Sequence, residues 1–125
     1  MATFQQNLSK NKKKKEIRIT EEDMREIRGL KYQHTAVREV TDAVNIFFGS
    51  EPGWDNTLKL MANINEFIDR LNTYDKESID SAMLAEIKPF KDQAQPERVR
   101  QILPACHQLA LWVKCTYNHK GKKPS

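Results

Sequence analysis

Catalysis or metal binding would need nucleophiles, acids, bases or ligands at workable spacings, and this 125-residue chain offers few. The natural candidates are Cys106 and Cys115 with His34, His107 and His119. Cys115 and His119 are one helical turn apart and share a face. They supply only half of the roughly four ligands that zinc takes, and no second pair stands ready to complete the set. Cys106 and His107 are neighbours, and neighbours on a helix diverge by about 100°, which keeps thiol and imidazole out of hydrogen-bonding reach. Gly29, Gly49, Gly53 and Gly121 are scattered rather than grouped ahead of a helix, as a phosphate-cradling loop requires. The residues therefore predict no enzyme, no cofactor and no bound metal. Asn7-Leu8-Ser9 matches a glycosylation triplet only by chance, because the polar start Met1-Ala2-Thr3-Phe4-Gln5-Gln6 lacks an export signal.

The thiols also bear on compartment. Nine residues on one helix separate Cys106 from Cys115, which puts them on opposite faces and about 13 Å apart along the axis. A disulfide tolerates a Cα separation of only about 7 Å, so both are expected free, as suits a reducing interior such as the cytoplasm. No apolar run approaches the roughly 18 residues of a membrane span, and no membrane partner is expected.

Charge is distributed unevenly. Residues 1–20 carry +5, mainly through Lys10 and the run Lys12, Lys13, Lys14 and Lys15. Residues 115–125 carry +3, whereas residues 21–114 carry −4, and the whole comes to +4. The folded part is acidic and the basic character belongs to two tails. An electropositive surface that tracks a duplex is disfavoured, so nucleic acid is a secondary expectation, confined to a polyanion arm at Lys12–Lys15. Residues 1–16 read as a disordered basic arm, 17–119 as a helical domain and 120–125 as a basic tail.

The elements that position these residues are all helical. Thr20, followed by Glu21, Glu22 and Asp23, is a helix start. Met24, Ile27 and Leu30 then form a narrow stripe that suits a two-stranded coiled-coil seam. Val37, Val40, Val44 and Phe47 mark the next helix, closed by Gly49. Asp55 and Asn65 are candidate caps for two short helices. Asp75 precedes a longer one through Ile79, Met83, Ile87 and Phe90, which Pro89 should end. Pro96 and Pro104 open the last two from their favoured first-turn position, with Leu109, Trp112, Val113 and Thr116 down one side. Trp54 and Trp112 read as core residues. The expectation is an all-α bundle of about six short helices, at the end of a short antiparallel coiled-coil pair formed by its two helical ends.

From Leu30 onward the residues resemble the microtubule-binding domain at the tip of the dynein heavy-chain stalk. The blocks are Ala36-Val37-Arg38-Glu39-Val40 through Gly49; Trp54 with Lys59-Leu60-Met61; Asn65 to Ile79, containing Thr73-Tyr74-Asp75-Lys76; Gln95-Pro96-Glu97-Arg98-Val99; and Ala105-Cys106, Leu109 and Trp112-Val113. They follow in order over about 85 residues. The resemblance implies a six-helix bundle capping a stalk, binding to α/β-tubulin through basic residues of the first, third and last domain helices, and the remainder of a dynein heavy chain as a further partner. It also implies a cytoskeletal location, in the cytoplasm or a ciliary axoneme. Arg38 matches the basic position of the first helix; Arg70, Arg98, Arg100 and Lys114 are lesser candidates. Gln33-His34 stands where most members carry Pro-Pro, and Gln101 and Leu111 replace frequent basic residues. The alternatives are a helical polyanion-binding protein acting through its lysine tails, and an interaction domain without tubulin affinity.

Overall fold

The computed structural model describes residues 17–121, so the lysine run Lys12–Lys15 and most of the C-terminal tail lie outside the described residues. The described residues are all-α: α1 (Glu21–Arg28), α2 (Thr35–Phe47), α3 (Trp54–Leu60), α4 (Ile64–Asn72), α5 (Ser81–Gln93), α6 (Pro96–Ile102) and α7 (His107–Gly121). Single tight turns at Lys76–Ser78 and Pro104–Cys106 complete the chain path.

Several helix starts are capped by short polar side chains. The Asp23 amide donates to Oγ1 of Thr20 (3.2 Å), and the Glu77 amide to Asp75 (3.0 Å). Elsewhere the caps differ from the expectation. Asn63 rather than Asn65 caps α4, accepting from the Glu66 amide. Gly53 occupies the cap position of α3, with Asp55 inside its first turn. Asp80 caps α5, which runs four residues past Pro89. Pro89 is exposed, and removing one backbone donor there does not stop a helix already anchored through buried Ile87.

α2 is the central element and lies antiparallel against α5: Arg38 and Asp42 share a recess with Phe90, while Ile46 shares another with Asp80 and Met83. The link between α1 and α2 carries no proline. His34 performs the break instead, in extended backbone (φ −60°, ψ 146°), its Nδ1 accepting from the Ala36 amide at 3.0 Å.

An aromatic cluster joins the C-terminal ends of α2 and α4 to α7. Trp112 meets the ring edges of Phe47 at 5.3 Å and Tyr74 at 5.5 Å, and its indole N–H donates to the Leu71 carbonyl at 3.1 Å. The Tyr74 hydroxyl donates to the Phe47 carbonyl at 2.7 Å. Trp112 is buried as expected, but Trp54 is only partly so and packs on the rim of the core.

The stripe on α1 is a second departure. Met24 and Ile27 are fully buried within the same core as Phe67 and Leu109, rather than forming a separate two-stranded seam. α1 packs on the Pro104–Cys106 turn and on α4, and the Arg18 amide donates to Oε1 of Gln108 at 2.8 Å. Among the described residues, the segment from Arg18 through α1 therefore packs against residues 104–108.

Candidate partner-binding face

Two of the five candidate cations, Arg38 in the first turns of α2 and Arg98 on α6, are exposed on helices that pack against each other. Arg38 is exposed on α2, one turn after His34, and makes no ion pair with another described residue. Its obvious partner, Asp42, is turned to structural use: a carboxylate oxygen accepts from the Gly53 amide at 2.9 Å and so closes the loop between α2 and α3. Burial raises the Asp42 carboxyl above its ordinary value, opposed by that hydrogen bond and by the nearby Arg38 charge. Loop closure needs a sharp backbone turn, which Gly53 supplies at φ +141°.

Glu39, on α2, lies within reach of the Arg98 charge on α6. Burial raises its carboxyl, an effect reduced by the Arg98 charge and by His34 and reinforced by Asp42. Oε1 of Glu39 is buried without a hydrogen-bond partner among the described residues. Arg98 does not close on it, and donates to the Gln93 carbonyl at 2.9 Å instead. The Arg98 side chain stays exposed on α6.

The other candidates are dispersed. Arg100 is paired with Glu97 at 2.8 Å, an exposed contact of the kind that contributes about 0–1 kcal/mol. Arg70 stacks on Phe48, its guanidinium carbon 4.6 Å from the ring centroid, and does not pair with Glu66. Ten residues of rise from Arg38 to Phe48 put these sites about 15 Å apart. Lys114 is exposed on α7. Sequence reasoning missed His34, Glu39 and Phe48, whose roles depend on neighbours distant in the chain, although the small step from Gln33-His34 to Ala36 is itself a legible cap signal.

Among the described residues no group of three or more His, Cys, Asp or Glu side chains could hold a metal ion, and no helix is long and apolar enough to cross a membrane. Both cysteines are free; Cys106 is buried, where loss of solvation pushes its thiol up to about 12, and Cys115 is exposed. A thiol reagent at pH 8 is therefore expected to label one site per folded chain, at Cys115, and two after unfolding. Rapid labelling of Cys106 in the folded chain, read by mass spectrometry of peptides, would contradict this packing.

The described residues form an all-α bundle on which Arg38, Arg98, Arg100, Arg70 and Lys114 are exposed. The chain belongs to the family described as the microtubule-binding stalk of dynein motor, whose model matches residues 9–118. It is 31% identical over 94 residues to human dynein axonemal heavy chain 6, a match covering 74% of this chain and 2% of that protein. It is 23% identical over 117 residues to mouse dynein axonemal heavy chain 1, covering 81% of this chain and 3% of the relative. The chain thus spans only a few hundredths of the length of these relatives. No solved structure matches at comparable significance.

Proposed function

We propose that this chain is a non-catalytic microtubule-binding module that attaches to the acidic surface of α/β-tubulin through the face shared by α2 and α6. Arg38 is the principal contact and Arg98 the second; Arg70, Arg100 and Lys114 add weaker, separate contacts. The observation that carries this reading is that the carboxylates nearest Arg38 leave it unpaired, Asp42 accepting from the Gly53 amide and Glu39 having Oε1 buried, while the Arg38 and Arg98 side chains are exposed. Family membership supports the partner, and the names of the relatives support an axonemal setting. Force generation then belongs to the remainder of a dynein heavy chain, and this segment provides the contact with the track.

Co-sedimentation with microtubules tests the reading. The full chain should pellet at low salt and still pellet after removal of residues 1–15. Arg38→Glu should weaken binding about 10- to 30-fold, because charge reversal removes one attraction and adds a repulsion worth up to about 2 kcal/mol together. Loss of pelleting with the arm alone would instead favour the polyanion reading through Lys12–Lys15. Failure of the wild-type chain to pellet at low salt would favour an interaction domain without tubulin affinity.

A further inference from the structure

The same end of α2 carries a feature that charge does not explain. Tyr32 is 76% exposed, and it is the one large hydrophobic side chain among the described residues that is so exposed. It stands in the link before α2, at the edge of a groove of about 250 Å³ lined by Leu30, Tyr32, His34, Val37, Ile102 and Leu103. Four of these six are aliphatic. Arg38 lies one turn beyond His34 on α2, and Arg98 one turn before Ile102 on α6, so each cation shares a helix face with a groove-lining residue. The arrangement is an apolar centre with a cationic border, the usual anatomy of a protein-binding surface, in which tyrosine is frequently a dominant contact.

We propose that Tyr32 and this groove form the apolar anchor of the tubulin-binding face, receiving a nonpolar side chain of the tubulin surface while Arg38 and Arg98 hold flanking carboxylates. The inference rests on the microtubule reading above and extends it from charge to shape. Charge complementarity selects this occupant: a second copy of the chain would set Arg38 and Arg98 of one molecule against those of the other across a two-fold contact, and like charges there oppose association. Tyr32 makes no side-chain hydrogen bond to another described residue and is 76% exposed, so its truncation should leave the fold intact.

The experiment measures microtubule affinity across a salt series for the wild-type chain, Tyr32→Ala, Tyr32→Phe and Arg38→Glu, with thermal melting as a control. Tyr32→Ala should bind at least 5-fold more weakly at every salt concentration, leave the slope of affinity against salt unchanged and melt as wild type does. Tyr32→Phe should bind nearly as wild type. Arg38→Glu should flatten the salt dependence, since it removes a screened ionic contact. Wild-type affinity for Tyr32→Ala alongside weakened Arg38→Glu would overturn the anchor and leave the tubulin reading standing. If the wild-type chain does not bind at all, the tubulin reading fails and the anchor fails with it. Tyr32-dependent dimerisation in sedimentation velocity, with unchanged microtubule binding, would assign the groove to a second copy and likewise overturn the proposal.

Discussion

Trp112→Ala is expected to destabilise the domain by about 3–5 kcal/mol, the range for emptying a large aromatic site in a packed core. For a domain whose total stability falls in the usual range of about 5–15 kcal/mol, that loss consumes much of the margin. The indole is buried between the ends of three elements: it touches Phe47 and Phe48 at the end of α2 and Tyr74 after α4, and bonds the Leu71 carbonyl in α4. Truncation opens a cavity whose walls belong to separate helices, and they cannot close it without moving α2. Trp112→Phe should cost less, since a ring remains and only the N–H donor is lost, typically worth about 0.5–1.5 kcal/mol. Chemical denaturation followed by far-ultraviolet circular dichroism avoids the loss of indole fluorescence. A midpoint for Trp112→Ala within error of wild type would mean that the aromatic cluster does not hold α7 to α2.

Ile27→Asp should release α1 from the domain at a cost of about 3–6 kcal/mol. Met24 and Ile27 are both wholly inaccessible in the structure, and burial of each is worth roughly 1.5–3 kcal/mol. A carboxylate at position 27 would have no partner in that apolar site, so undocking is the cheaper outcome. α1 has eight residues, too few to persist as a helix without tertiary support. Hydrogen exchange should therefore show lost protection over Met24–Gly29 while Val40–Phe47 keeps most of its own. Because α1 covers the Pro104–Cys106 turn, Cys106 should also gain reactivity toward thiol reagents. Unchanged protection in α1, or a Cys106 that stays unreactive, would refute the docking described above.

Apolar periodicity made the helices legible. Val37, Val40, Val44 and Phe47 predict α2 and all four are buried; Pro96 marks the start it predicts, whereas Pro104 opens the tight turn that leads into α7 at His107. Boundaries were less legible where two polar residues compete for one cap. Asn63 and Asn65 are equally good acceptors, and only the docking of Ile64 and Phe67 decides which of them takes extended backbone. The α1 stripe was legible as buried but not as to what covers it, since a narrow apolar seam fits a partner strand and a domain core alike. At the candidate site, exposure of Arg38 followed from its place opposite Val37 and Val40. The diversion of Asp42 did not, because an Arg–Asp pair one turn apart looks complete until a loop eleven residues on brings the Gly53 amide to the carboxylate.

By itself the sequence determined the helices, the free thiols and the kinship with the dynein stalk, since these depend on residue spacing within a turn or two and on collinear blocks of side chains. Tertiary structure alone decided which cations face solvent unpaired, that Tyr32 stands beside an apolar groove, and that one carboxylate oxygen of Glu39 is buried without a partner among the described residues. Those outcomes arise when loop closure and helix packing bring together groups tens of residues apart, and no local pattern records where such distant neighbours will come to rest.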